Sequence, residues 1–588
     1  MCGILAVFGK TESLDIDRCD QALMMMRQRG PDRLHSSVQM GGRLYLGQTV
    51  LSITGNGRKL PLQDWRYQIL FNGEIYNHAA LYSTFLSPRE LSWESGTDTE
   101  VLAKLHIFLS PVEVYKKLSG MFTYVLHDRE KKSLFVGRDM VGEKFLYCYE
   151  DERLLILSSE VRLILHLVPA IKMDRDVLRE YFFTRHLLTA EQTVWKGISV
   201  IPPGQIREYD LVESRGWRPL HVRTLSSLID QQRIENNRKR SEEGLVDELD
   251  ALCGEVACSL CPSINYASVV SGGIDSSLAS WFMAENDNKP ALIALQFPGK
   301  DFPSSDESLG AFERAMNGRI EKYIVNEEDF RNHLESSYAV ACSPLPTHSY
   351  VSQAILAEAV RDRGLRVLVV GEGGDEFFGG YDAYCAFYCL IGVSSTSPSP
   401  YSGFIPCGVE FKDWQPNVLR QRQYKQWQSA LAVYEYERDC RDREIQAALL
   451  LDATIQLQSV GIRSADQMSM AYSVEARSFY LHESLMRFAL NLPVKYKLNF
   501  AEHDEFTTKY LLKKLFARKF GAALIRPKTG FSGWPNEAGR ILVGSDYRMM
   551  RAVLGPFTVI GINQQQWQAA EWKLANMEMF LRRFAHYA

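Results

Sequence analysis

The sequence predicts two domains of different class: an α+β, layered-sandwich half, then an α/β half built on a parallel sheet. Three observations predict it. Residues 1 to about 210 alternate short strand-like runs with turn signals, residues 215–243 are polar and charge-rich, and apolar runs then alternate with long helical periodicity. With 588 residues and 46% hydrophobic content the chain has room for two or more domains and a large core.

Taken in order, the first half offers strands at Cys2–Gly9, Leu44–Ile53, Tyr67–Phe71, Phe122–His127, Ser133–Arg138, Phe145–Cys148 and Leu154–Ser158. They bound a domain over residues 2–212, and 213–243, ending NNRKRSEEG, reads as linker. The second domain, 244–588, opens with apolar runs Ala267–Val270, Ala291–Phe297, Ile320–Val325 and Val367–Val370, each beside a helical stretch, as a parallel sheet covered on both faces requires. From Asp439 onward the pattern is helical up to the amphipathic Glu571–Phe584, and the Ser/Pro-rich 394–403 reads as a surface loop.

Charge and composition exclude several functions. A net charge of −4, from 67 Lys+Arg against 71 Asp+Glu, gives no basic field for nucleic acid or an anionic membrane. The odd count of 11 cysteines suggests neither a zinc site nor a disulfide framework, and no apolar run nears the roughly 20 residues of a membrane span. A cytoplasmic protein with reduced thiols is expected.

Two stretches carry nucleotide chemistry. SVVSGGIDSSLASWF (268–282) is an apolar strand, a glycine turn and a helix. Gly272 and Gly273 let a phosphate approach, the helix N-terminus offers N–H donors, Ser271, Ser276 and Ser277 add hydroxyls, and Asp275 suits Mg2+. It lacks the Gly-Lys-Ser/Thr ending of a Walker loop and resembles the pyrophosphate loop of enzymes that split ATP into AMP and pyrophosphate. VLVVGEGGDEFFGGY (367–381) repeats the design: Gly371, Gly373 and Gly374 in the turn, with Glu372, Asp375 and Glu376 as oxygen ligands. Two such turns after two strands suit one site at the C-terminal edge of a parallel sheet. At the other end of the chain, removal of Met1 would make Cys2 an N-terminal residue with thiol and α-amine together, a nucleophile and base in one residue.

MCGI, RGPD (29–32), FNGEIYN (71–77), GTDTE (96–100), GRDMVGEKFLYC (137–148), SGGIDSS (271–277), GEGGDEFFGGY (371–381), RSADQMSMAYSVEAR (463–477) and RPKTGF (526–531) stand in the order found in the asparagine synthetase family, which the chain resembles over about residues 2–535. The resemblance implies an N-terminal-nucleophile hydrolase-like four-layer αββα sandwich feeding ammonia to an ATP-pyrophosphatase domain. It implies ATP and Mg2+ as cofactors, a small-molecule carboxylate and glutamine or ammonia as substrates, and a homodimer. Cys2 would attack the glutamine amide, Asn72 and Gly73 would stabilise the oxyanion, and Glu74 and Asp98 would hold the α-amine. Val269, Ser271, Gly272, Gly273, Asp275, Ser276, Leu295, Gly371, Glu372 and Lys528 would bind ATP or pyrophosphate, with Asp275 and Asp375 on the metal and Glu372 near the acyl group. Lys528 would neutralise charge in the transition state, and Arg463, Asp466, Glu475 and Arg477 would form an ion network flanking that pocket.

The pattern also breaks. Val50 occupies the place of the family arginine that grips the glutamine α-carboxylate, with Arg43, Arg58 or Arg66 as candidates to compensate. Val370 replaces a serine, Phe479 and His482 replace Pro and Asp, and His348 stands near the place of the arginine for the aspartate α-carboxylate. An acceptor other than aspartate is expected. The alternative is an intramolecular ring closure like that of β-lactam synthetases, with a vestigial N-terminal half.

Overall fold

The computed structural model describes residues 2–54, 66–184, 191–214, 216–297, 306–391, 409–499, 507–526, 547–559 and 564–587. The first half contains β1 (Cys2–Gly9), β2 (Arg33–Gln39), β3 (Leu44–Val50), β4 (Tyr67–Ile75), β5 (Gly120–Asp128), β6 (Ser133–Arg138), β7 (Tyr147–Glu150), β8 (Leu154–Ser158), β9 (Ile198–Val200), β10 (Gln205–Asp210) and β11 (Arg218–Val222). They form two sheets, ordered β2-β3-β1-β8-β7-β9 and β11-β10-β6-β5-β4. The period-2 alternation of β1 decides its packing: Ile4 and Ala6 meet Leu70 and Val125 between the sheets, while Leu5 and Val7 meet Cys19, Ala22 and Leu23, the buried face of the helix Ile16–Met25. On the far side, Val101, Leu102 and Leu105 of the helix Asp98–Leu105 cover Ile69 and Phe71. Helix, sheet, sheet and helix make the four-layer sandwich.

The polar composition of 213–243 marks a solvent-facing edge, since the stretch contains β11 and the helix Gln231–Lys239, and Asn237 of that helix donates to the Asn491 carbonyl (3.0 Å). β2 escapes the sequence pattern because RLHSSVQ is a half-exposed edge strand.

The second half continues with β12 (Ala267–Val269), β13 (Ala291–Gln296), β14 (Ile320–Ile324), β15 (Val367–Val370), β16 (Val409–Phe411), β17 (Glu475–Ser478) and β18 (Phe557–Val559). A parallel sheet runs β14-β13-β12-β15-β17, and β16 pairs with β18 apart from it. β17 interrupts the mostly helical stretch beyond Asp439: EARS is a buried strand whose charges are paired rather than solvated. The 394–403 stretch lies outside the described residues. Among those described, the helix Cys440–Met470 has the length and apolarity to cross a membrane, but 67% of its apolar window is buried within the protein. The ten described cysteines are free thiols. The notion of a chain without a paired cysteine spacing is corrected by one C-x-x-C, Cys258 and Cys261, at the C-terminal end of the helix Glu242–Leu260, where burial pushes the Cys261 thiol up.

Candidate functional site

In the first half the sheets bring the predicted residues together. Cys2 opens β1 opposite Val50 of β3, and its backbone N–H donates to Asn72 Oδ1 of β4 at 3.0 Å. Asn72 is fully buried and its Nδ2 has no partner among the described residues, an orphan donor beside a thiol. Gly73 has φ +146°, and a Cβ there would lie 2.0 Å from the Met121 carbonyl, so only glycine fits. Burial pushes the Cys2 thiol up, opposed by a hydrogen bond with Gln48 and by one to the Leu51 backbone.

Glu74 and Asp98 are both buried, and burial raises both carboxyls; the charge of Asp98 raises Glu74 further. Asp98 accepts from the Ile75 N–H (3.0 Å), the Thr99 N–H (2.8 Å) and the Thr54 hydroxyl (3.4 Å). Two buried acids so placed attract a substrate ammonium. The compensating arginines do not reach them. Arg43 donates to the Gly9 carbonyl (2.9 Å) at the far end of β1, and Arg66 pairs with Asp128 (2.9 Å) at the far end of β4. Arg58 lies outside the described residues.

In the second half β12 and β15 are neighbours, pairing Ser268 with Val369, so their glycine turns emerge side by side. Ser271 Oγ and Ser276 Oγ are 2.7 Å apart and the Ser271 N–H donates to Ser276 Oγ (3.1 Å), closing the first turn around Gly272 and Gly273. Gly371 packs against it, since an added Cβ would lie 3.0 Å from the Ser276 nitrogen. At Gly374 a Cβ would be only 2.5 Å from Asp275 Oδ1. Val269 and Leu295 are buried at the same edge of the sheet, and the Glu372 carboxylate lies against the backbone at Gly461. Lys528 lies outside the described residues.

The sequence missed one central residue. Lys509, 6% exposed, places its ammonium between Asp275 and Asp375, bonded to the first and 2.6 Å from Oδ1 of the second. Nothing in EHDEFTTKYLLKKLF distinguishes this lysine. Its one signal is a cation at the N-cap of the helix Tyr510–Phe520, where the dipole disfavours it. The position also tests the fit of Mg2+. Two carboxylates converging on one cation, beside a phosphate-sized glycine cradle, are the usual protein share of a magnesium site completed by substrate phosphates. Among the described residues no group of three or more His, Cys, Asp or Glu could hold a metal without them.

The ion network is larger than expected, because it joins the two halves. Both carboxylate oxygens of Asp466 accept from the one nitrogen Nη2 of Arg29 of RGPD (3.0 Å each), and Asp466 lies 3.8 Å from Lys144. Arg477 bonds Glu475 (2.7 Å) and the Leu260 carbonyl (2.8 Å), and its third nitrogen is 3.3 Å from Glu74. Arg463 lies over the Phe145 ring. His482 faces the same interface: it caps the helix Glu483–Leu490 through the Ser484 N–H and stacks on Tyr76 at 5.8 Å. Val370 ends β15 buried, Phe479 packs on Phe282, and the His348 ring lies 3.8 Å from that of Trp572.

Comparison with known proteins accords with this geometry. A glutamine amidotransferase domain model matches residues 1–216 and an asparagine synthase model matches residues 250–543, half of the chain. The chain is 24% identical over 584 residues to a putative glutamine-hydrolysing asparagine synthetase of Mycobacterium tuberculosis (90% of this chain, 87% of the relative). It is 27% identical over 405 residues to asparagine synthetase B of Escherichia coli (65% of each). It is 26% identical over 422 residues to the amidase chyE of Penicillium rubens, covering 66% of this chain and 60% of that relative. A Bacillus subtilis glutamine phosphoribosylpyrophosphate amidotransferase structure superposes with TM-score 0.29 and 14% identity, over 63% of this chain and 75% of that one, too loosely to carry weight. On these matches the chain belongs to the asparagine synthase family, with a glutamine amidotransferase domain at its N-terminal end.

Proposed function

We propose that the chain is a cytoplasmic ATP-dependent carbon–nitrogen ligase that forms an amide from a small-molecule carboxylate, with ammonia drawn from glutamine. One observation carries the reading: two glycine turns close side by side on the C-terminal edge of a parallel sheet, with Asp275, Asp375 and Lys509 converging between them. A carboxylate oxygen of the acceptor attacks the α-phosphorus of ATP and pyrophosphate leaves; the amine nitrogen then attacks the acyl carbon, loses a proton, and AMP leaves. Ser271, Gly272, Gly273 and Ser276 cradle the departing pyrophosphate, and Lys509, with Lys528, offsets its charge. Asp275 and Asp375 would hold Mg2+, which when bound supplies charge neutralisation on the phosphate oxygens. Glu372, in the turn after β15, is assigned by the resemblance to the neighbourhood of the activated acyl group.

In the first half Cys2 Sγ attacks the glutamine amide carbon, Asn72 Nδ2 and the Gly73 N–H receive the oxyanion, and Glu74 with Asp98 hold the ammonium. The reading of an acceptor other than aspartate is supported by His348, which by the resemblance stands near the place of the arginine for the aspartate α-carboxylate and which packs on Trp572. Val50 favours a second reading, ring closure by the acceptor's own amine. Pyrophosphate release measured with candidate acids, each with glutamine, ammonium or no added amine, tests both. Glutamine-dependent turnover lost in Cys2→Ala is expected, turnover with no added nitrogen supports ring closure, and no release with any acid under any condition refutes the ligase.

A further inference from the structure

The helix Glu242–Leu260 ends at the pair Cys258 and Cys261, and between them stands the Leu260 carbonyl that Arg477 caps. The last four carbonyls of a helix have no partner within it, and a cation suits the negative end of its dipole. Arg477 Nη1 meets both needs at 2.8 Å from Leu260, and the same guanidinium reaches Glu475 (2.7 Å) and Glu74 (3.3 Å). The turn carrying the two cysteines therefore helps to place the arginine that meets Glu74. The cysteines themselves are neighbours. The Cys261 N–H donates to the Ala257 carbonyl (3.1 Å), so helical geometry runs on to position 261, and residues three apart on a helix have Cβ atoms about 5–6 Å from each other. Their thiols turn to one loop, Cys258 Sγ donating to Asn286 Oδ1 (3.3 Å) and Cys261 Sγ lying 3.7 Å from the Asn288 carbonyl. Cys258 is exposed and Cys261 half-buried, so a small solute reaches the first directly. Burial pushes the Cys261 thiol up, and its hydrogen bond with Tyr266 and the charge of Arg477 oppose that. A disulfide needs Cβ atoms about 3.5–4.5 Å apart, so closing one here tightens the last turn by about 1 Å and moves the Leu260 carbonyl with it.

We propose that Cys258 and Cys261 are a reversible thiol–disulfide modification site, oxidised by low-molecular-weight disulfides, and that its closure draws the Leu260 carbonyl away from Arg477. Each cysteine gives its proton to solvent before it attacks. Cys258 Sγ attacks one sulfur of the small disulfide; that S–S bond breaks, one thiolate leaves and takes up a proton, and a mixed disulfide remains on Cys258. Cys261 Sγ then attacks Cys258 Sγ and expels the second thiolate, which is protonated in turn. The two cysteines lose two electrons and the small disulfide gains them. A strained disulfide is easily reduced, so the step reverses when thiols are in excess. Arg477, without its helix carbonyl, no longer holds a nitrogen against Glu74, whose buried carboxyl then takes a proton more readily and attracts the glutamine ammonium less. The effect on glutamine rests on the glutaminase reading above; the modification itself does not.

The test holds the full chain in buffers of reduced and oxidised glutathione. Mass spectrometry after alkylation under denaturing conditions reads the Cys258–Cys261 bond, while steady-state glutamine hydrolysis and limited proteolysis of the 213–243 stretch read its effect. With oxidised glutathione in excess the bond is expected to form and KM for glutamine to rise about 10- to 100-fold, the loss typical of one charge-assisted hydrogen bond, with kcat within about twofold. The oxidised chain should also be cut sooner between its halves. Reduced glutathione restores the KM, and Cys258→Ser and Cys261→Ser chains keep the reduced-state KM throughout. Absence of the Cys258–Cys261 bond, a bond formed with glutamine KM unchanged, or an equal shift in the serine variants overturns the proposal and leaves the glutaminase reading standing. A reduced chain that hydrolyses no glutamine overturns the glutaminase reading instead, and the proposal is then decided by the bond and the cleavage rate: a bond that forms without hastening cleavage overturns it.

Discussion

Replacing Lys509 with methionine removes the cation that Asp275 and Asp375 share while keeping most of the side-chain volume. Lys509 is nearly buried, whereas the two acids are 18% and 22% exposed at their side chains, so water relieves part of the damage. Breaking a buried pair typically costs 3–5 kcal/mol, and the partial exposure puts this one at about 3 kcal/mol. For a unit of this size that lowers the melting transition of the synthetase half by roughly 4 °C in metal-free buffer. The ammonium stands where Mg2+ would bind, so the variant should gain more from added Mg2+ than the wild type, whose lysine must first be displaced. Thermal melts of both proteins across a Mg2+ series, with Mn2+ binding followed by electron paramagnetic resonance, read both effects. The reasoning fails if the variant melts with the wild type in chelator, or if Mg2+ stabilises the two equally.

In glutamine hydrolysis, Asn72→Ala removes the orphan Nδ2 donor and the acceptor of the Cys2 N–H, so kcat should fall about 10²- to 10³-fold while ammonia-dependent synthesis persists. Glu143 is held protonated up to about pH 8 by burial and by the charge of Asp139. An unfolded glutamate loses its proton near pH 4.5, so between these values the folded chain binds more protons and its stability falls as pH rises. Glu143→Gln should flatten that decline in denaturant melts at pH 5 to 8. Asp466→Asn takes the charge from the carboxylate that pairs with fully buried Arg29 and should cost about 3 kcal/mol, visible as earlier separation of the two halves in limited proteolysis.

The turns at 271–277 and 371–376 are legible in the sequence because their chemistry is local: glycines, hydroxyls and acids lie within a few residues, and the apolar strand before each fixes where the turn emerges. The order of the two sheets is less legible, since β2 and β17 are short, polar or charged strands stabilised by neighbours far away in the chain. Lys509 cannot be distinguished from Lys513 or Lys514 by composition; only the fold gives it two carboxylates.

The charges between the halves have a further consequence. Glu74, Asp98, Glu475, Glu143 and Asp466 are all buried, with Arg29, Arg477 and Lys144 among the cations set against them. A close-packed apolar interface would be as stable or more so, because desolvating ions offsets most of their attraction. What the ions add is register. Any other docking of the halves would bury several carboxylates without a cation, at a cost that apolar surfaces do not impose. The register so selected runs from one site to the other. β15, which carries Gly371 and Glu372 beyond its end, pairs Val369 with Arg477 of β17; Arg477 reaches Glu74; and Glu74 follows Asn72 and Gly73 on the strand that holds the Cys2 N–H. The two candidate sites are thus fixed to each other through Glu74, Arg477 and the β15–β17 pairing.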